Sequence, residues 1–348
     1  MSSAYVSPQD AQRPLFVGVD VGGTGIKLGI VDDRGQSLAE TRIETQQERG
    51  PADAVQRIRQ ALDGLLEGLG LDWDAITAMG LGTPGTQDVR RGMILAPPNL
   101  PNWRHFPIRD ELSKACEGKL VAYANDANAA AYGEFWVGRG RDASSMIMLT
   151  LGTGVGGGII IDEQLVDGAN SFGSECGHII VDSREDARLC VWGGGRGELE
   201  AYASASAVIE RTRERLMAGE ESSLQGRVAT EELTGYMVYE EANRGDKLAL
   251  EIIRETGRYL GIGIVTLVHA LDPGLVVLGG AMNFGGEEAH AGRVFLESVR
   301  EEFRRRAFDV VANNTAIEYA RLGGDAGYIG AAGLGRLAWK KANRTSAP

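Results

Sequence analysis

The chain has 348 residues, 43% hydrophobic and 24% charged, with a net charge of −12. That length suggests two domains with real cores, and the composition is that of an ordinary soluble protein. The acidic sign argues against a nucleic-acid-binding role, although a local cradle of amides and one metal can still hold an anionic nucleotide. Glycine is the exception in composition: 49 residues, about twice the usual share of roughly 7%. The glycines cluster beside strand-like runs, with no collagen or linker period, which implies tight turns and close backbone approaches. Cys116, Cys176 and Cys190 do not make a disulfide framework and fit a reducing cytosol. The N-terminal "MSSAYVSPQDAQRPLF" has neither a basic leader nor a long apolar core, so it does not read as a signal peptide. "YLGIGIVTLVHAL" is too short to span a membrane and reads as a buried helix.

Residues 1–13 read as a disordered lead-in. "LFVGVDVGGTGIKLGIVDDRGQSLAETRIET" predicts strand, glycine turn, strand, turn, strand. "ADAVQRIRQALDGLLEGLG" is an amphipathic helix closed by glycine. "AITAMGLGTPG" predicts a strand entering a Gly-Pro turn, "FPIRDELSKACEG" a helix, "KLVAYAND" a strand, and "ANAAAYGEFWVG" a helix. Near residue 140 the pattern restarts, because "SSMIMLTLGTGVGGGIIIDEQLVDG" repeats the strand–glycine turn–strand layout. Aligning "FVGVDVGGTGIKLGIVD" with "IMLTLGTGVGGGIIID" sets Gly22 beside Gly152 and Asp20 beside Thr150, a weak duplication. Helices follow over about 198–217 and 246–271, then the strand "GLVVLGG", a helix over 287–306, a strand near "TAIEYARL" and a final helix, "GYIGAAGLGRLAWKK". Strands alternate with helices in both halves, which predicts an α/β protein with one sheet per half.

"LGTGVGGG" contains G-x-G-x-x-G at Gly152, Gly154 and Gly157. A dinucleotide fingerprint needs a helix next, whereas "IIIDEQLV" is strand-like. No P-loop is present either, since Gly118-Lys119 is followed by Leu without the upstream glycine. What remains is one strand–glycine–strand hairpin in each half. Such hairpins expose backbone N–H groups that bind anions, and two facing ones can grip the phosphates of a nucleotide. Asp20, just before the first glycine turn, is placed to hold Mg²⁺, usually through water, or merely to cap the turn. Thr24 and Lys27 are further phosphate candidates.

At this point the chain resembles a sugar kinase of the ROK family, within the actin-like ATPase superfamily. The resemblance rests on "VGVDVGGTGIKLGIVD", "GLGTPG", "APPNLPNW", "NDANAAAYGE", "LTLGTGVGGGIIID", "GSECGH", "ELEAYAS" and "VVLGGAM", in family order over about 15–335. It implies two actin/ribonuclease H-like domains, each a mixed sheet flanked by helices, with an interdomain cleft. The small domain would span 14–130 and the large one 131–325, with the helix 326–348 packing back on the small domain. It further implies Asp126 as catalytic base and Asn125 as a ligand of a neighbouring hydroxyl, although Asx residues at this position also cap helices. Glu175, His178 and Glu200 carry over as sugar-hydroxyl ligands. Gly85 and Asn99 would close the sugar pocket from the small domain. Gly22, Gly23, Gly152, Thr153 and Gly154 would face the phosphates, and Gly279 and Gly280 the adenosine.

One stretch departs from the family. Many members bind structural zinc through C-x-C-G-x-x-G-C-x-E and the His of E-x-G-H. Here "LCVWGGGRGELEAYAS" leaves Cys190 and puts Glu198 where the last cysteine belongs. Four-coordinate zinc needs four ligands, so no structural zinc is expected, and packing by Trp192 would hold the Gly193–Gly197 loop.

The resemblance thus implies transfer from ATP, with Mg²⁺, to a hexose hydroxyl, foremost the 6-hydroxyl of glucose, in the cytoplasm and in a homodimer. Fructokinase, N-acetylmannosamine kinase, N-acetylglucosamine kinase, and allose or mannose kinase are the rival activities, with polyphosphate as the rival donor. A sugar-responsive repressor would need a helix-turn-helix segment ahead of the first strand, and only about 13 residues stand there. A catalytically silent sensor is disfavoured by the retention of both Asp20 and Asp126.

Overall fold

The computed structural model describes residues 5–97, 99–191 and 194–345. The first lobe contains β1 (Leu15–Val21), β2 (Gly25–Val31), β3 (Ser37–Glu44), α1 (Pro51–Leu69) and β4 (Ile76–Thr83). A short hairpin follows, β5 (Gln87–Asp88) and β6 (Met93–Ile94), then α2 (Ile108–Ala115), β7 (Val121–Asn125) and α3 (Asp126–Val137). Helix α1 forms because Val55, Ile58, Leu62 and Leu66 fall on one buried face, with Pro51 in its first turn and Gly70 in the left-handed region at φ 65° ending it.

The second lobe contains β8 (Met146–Leu151), β9 (Val155–Ile161), β10 (Gln164–Leu165), α4 (Glu200–Ala203), α5 (Ala205–Met217), α6 (Leu224–Val228) and α7 (Gly235–Asn243). It continues with α8 (Lys247–Leu271), β11 (Leu275–Gly279), α9 (His290–Arg306), α10 (Asp309–Asn314) and β12 (Ala316–Tyr319), after which α11 (Ala326–Thr345) ends the chain. The helix expected over 198–217 is broken, because Ser204 is extended and its side chain accepts from the Ala207 amide to start α5 afresh.

The two sheets share one topology. Their orders are β3-β2-β1-β4-β7 and β10-β9-β8-β11-β12. In each, the first three strands pair antiparallel and the last three parallel. The repeat in the sequence is therefore a repeat in space, with β1 and β8 at equivalent central positions. Each lobe has its own apolar core, one around α1 and β1–β4 and one around α8, α9 and β8.

Helix α11 packs on α3, β4 and β1, on the first lobe's sheet. Backbone contact requires glycine here: a Cβ on Gly80 would lie 1.7 Å from the Ala331 carbonyl oxygen, and one on Gly330 would lie 1.7 Å from that of Ala129. Close by, the buried carboxylate of Glu134 on α3 accepts from the amides of Arg139, Arg321 and Leu322 at 2.8, 2.8 and 2.6 Å. It thereby ties together the two segments by which the chain crosses between lobes. Residues 5–13, expected to be a disordered lead-in, lie instead against the first lobe: Val6 N donates to Ser37 O, and Gln12 N to Asp32 Oδ2. Among the described residues no helix is long and apolar enough to cross a membrane.

Candidate active site

The parallel strands of the first sheet end side by side. In register, Asp20 on β1 faces Gly82 on β4, and Thr83 on β4 faces Asn125 on β7. The next residue, Asp126, opens α3. Strand C-termini in such sheets face the ligand crevice, and here they open on an interlobe cleft of about 390 Å³. Gly85, Asn99, Asn125 and Asp126 line it from the first lobe, and Gly152, Thr153, Gly154, Glu175, His178, Glu200 and Gly280 from the second.

Asn125 caps α3, its Oδ1 accepting from the Ala127 amide at 2.8 Å, and Asp126 Oδ1 accepts from the same amide at 2.8 Å. Capping thus occupies one oxygen of each side chain and leaves the Asn125 amide nitrogen and the second Asp126 oxygen for a ligand. Burial pushes the Asp126 carboxyl up to about 6. Burial, with the neighbouring Asp126 charge, pushes Asp20 up to about 7. Asp20 sits against the first turn of α11, where a Cβ on Gly327 would come within 2.1 Å of its Oδ2. Glycine there admits the carboxylate to a helix N-terminus, whose exposed amides favour negative charge.

The facing wall is rich in acceptors. Glu200 Oε2 accepts from the Val155 amide at 2.8 Å, and its Oε1 lies 3.0 Å from Cys190 Sγ. His178 Nδ1 lies 2.8 Å from Glu198 Oε2, and its Nε2 lies 3.9 Å from Glu175 Oε2. Burial, the largest single effect, lowers the His178 pKa, but the bond to Glu198 together with the charges of Glu198, Glu200 and Glu175 outweighs it and the value rises. Burial raises Glu175.

The glycine hairpins behave only partly as expected. The amides of Gly22 and Gly152 close their own turns on the carbonyls of Gly25 and Gly154, so those two are taken. Among the described residues the amides of Gly23, Thr24, Thr153 and Gly154 donate to no protein acceptor. Gly23 packs against Asn99, whose Cβ would lie 3.4 Å from an added Cβ. Lys27 does not line the cleft; its ammonium is paired with Glu40 at 3.0 Å and with Asp325. Gly279 is buried under Met148, while Gly280, at φ 91°, reaches the cleft.

In the stretch that departs from the family motif the side chains bond to one another and to nearby amides. Glu198 accepts from His178 and, at 2.6 Å, from the Gly195 amide, and Cys190 turns to Glu200. Among the described residues no three metal-ligating side chains cluster. Trp192, expected above to pack this loop, and Gly193, the loop's first residue, lie outside the described residues. Gln87, Ser171 and Ser174 also line the cleft and carried no signal in the sequence. A two-residue strand and an irregular loop have no periodicity to read.

The ROK family model matches residues 16–337. The chain belongs to the ROK family. Its relatives within the family include the glucokinase of Halalkalibacterium halodurans, 36% identical over 90% of this chain and 93% of that one. Among solved structures, the ROK hexokinase of Thermus thermophilus superposes with a TM-score of 0.78 at 31% identity, covering 94% of this chain and 99% of that one. A ROK glucokinase of Streptomyces griseus, solved with glucose and AMPPNP, superposes at 0.73 with 33% identity, covering 93% and 99%. The two-lobed α/β architecture of this ROK chain is the fold of those kinases.

Proposed function

We propose that this ROK sugar kinase transfers the terminal phosphoryl group of ATP to the 6-hydroxyl of glucose. The observation that carries the reading is Asp126, set at a strand end in an interlobe cleft and opposed by Glu175, His178 and Glu200. A hexose offers a run of hydroxyl donors, and this wall offers matching acceptors. A site built so rejects analogues that lack a hydroxyl.

Asp126 takes the proton from the attacking hydroxyl. Its raised pKa of about 6 suits a base that must be ionised yet still basic near neutrality. The Asn125 amide holds a neighbouring hydroxyl and keeps the attacking oxygen aligned. The unengaged amides of Gly23, Thr24, Thr153 and Gly154 receive the phosphate oxygens, fixed donors that need no reorganisation as charge moves. Gly280 admits the nucleotide backbone closely from the second lobe. Asp20 is the carboxylate that would hold Mg²⁺. A single protein carboxylate beside a glycine turn fits an ion that keeps most of its waters and takes phosphate oxygens for the rest. When bound, Mg²⁺ supplies neutralisation of the phosphate charge, the main requirement of in-line transfer along with positioning. A cytoplasmic homodimer acting on a small-molecule hexose, without nucleic acid, is the setting in which we place the enzyme.

The test is ADP release or polyphosphate consumption across glucose, mannose, fructose, allose and the N-acetylhexosamines, with ATP and polyphosphate compared as donors. Highest kcat/KM for glucose with ATP is expected. Preference for an N-acetylhexosamine, for another hexose or for polyphosphate overturns the assignment at that point.

A further inference from the structure

Among the buried polar side chains of the cleft wall, one that the chemistry above does not use is Gln87. Gln87, on β5, is 2% exposed and lines the cleft. Its Oε1 lies 3.2 Å from the Thr83 hydroxyl, which lies 2.7 Å from the Tyr123 hydroxyl. The direction of this chain can be worked out. Among the described residues the buried Tyr123 hydroxyl has no other partner, so its proton goes to Thr83 Oγ1. The Thr83 proton then goes to Gln87 Oε1. That orients the amide, with its oxygen toward Thr83 and its NH₂ group away from it. Among the described residues no acceptor pairs with that Nε2, and it is not one of the atoms closed off from solvent, so the free donor meets the open cleft. Thr83 is the register neighbour of Asn125, and Gln87 lines the same cleft as Asn125 and Asp126.

We propose that Gln87 is a specificity-determining residue, donating an amide N–H to one hydroxyl oxygen of the hexose. The proposal rests on the sugar-kinase reading and deepens it. The second-lobe side chains assigned to the sugar above, Glu175, His178 and Glu200, are carboxylates and an imidazole. Gln87 supplies a neutral donor from the first lobe, and Tyr123 and Thr83 position it.

The experiment compares the full-length wild type with Gln87→Met and Gln87→Leu on glucose and on its 1-, 2-, 3- and 4-deoxy analogues, with melting temperature as the check on folding. In both variants kcat/KM for glucose should fall about three- to tenfold, the worth of one neutral hydrogen bond. One deoxy analogue, already poor for the wild type, should lose no further activity in the variants, which identifies the hydroxyl that Gln87 holds. The other analogues should fall in parallel with glucose. If either folded variant shows the same relative deoxy-sugar profile as an active wild type, Gln87 has no such role and the proposed reaction stands. If the wild type phosphorylates no hexose, the proposed reaction fails and the role of Gln87 fails with it. Met retains the length of the side chain, so one variant survives if Leu disturbs the hairpin.

Discussion

Replacing Asp126 with Asn tests the catalytic assignment and its electrostatic basis together. Burial lifts this carboxyl from its ordinary 3.8 to about 6. At pH 8 the folded protein therefore carries an anion that burial disfavours, and a rise of this size corresponds to about 3 kcal/mol of stability forgone. Solvent entering through the cleft screens part of it, leaving about 1–3 kcal/mol. The sign follows from linkage. The native state holds the proton more tightly than the unfolded chain, so the wild type has this contribution in full below pH ~4 and loses it as pH rises through about 6. Asn at 126 has nothing to ionise and can still accept from the Ala127 amide. The variant should melt roughly 1–4 °C above the wild type at pH 8, with the gain shrinking toward zero at pH ~4. Its kcat should fall about 10²- to 10⁴-fold, the usual worth of a positioned base. Differential scanning calorimetry at pH 4 to 8, paired with an ADP-release assay, reads both quantities. Near wild-type turnover, or a melting difference that ignores pH, would refute the reasoning.

Other substitutions probe neighbouring parts of the argument. Glu134→Leu strands three part-buried amides at the two interlobe crossings, and at about 1–3 kcal/mol per unsatisfied group, reduced where water reaches the amide, it should cost about 2 kcal/mol or more in urea unfolding; a loss below 1 kcal/mol would show that the clamp is dispensable. Glu198→Ala removes the acceptor shared by His178 and Gly195, so KM for the sugar should rise about tenfold. Wild type dialysed against chelator and returned to Mg²⁺ should keep its activity, and recovery only on adding zinc would contradict the view of Glu198 as the loop's anchor. Lys27→Met should leave KM for ATP within about twofold while lowering stability by about 1 kcal/mol, since its ammonium faces Glu40 and Asp325; a tenfold rise in KM would return it to the phosphates.

Sequence alone determined the strand–glycine–strand repeat, the amphipathic helices and the carboxylate at position 126 of a strand end, because these are local. Periodicity, glycine clusters and Asx residues act through the backbone within a few residues of themselves. It also exposed the departure at Glu198, read as the loss of a cysteine. Only the tertiary structure decided what that glutamate does, which is to hold His178 and the Gly195 amide. The same holds for Lys27, whose partner Asp325 lies far along the chain, and for Gln87, whose orientation depends on a hydroxyl from β7. The N-terminal residues 5–13 found order for the same reason, since their hydrogen bonds run to the β2–β3 turn region and not to each other alone. A side chain's partner across the fold is fixed by how sheets and helices pack, and packing distances are not written in the spacing of residues along the chain.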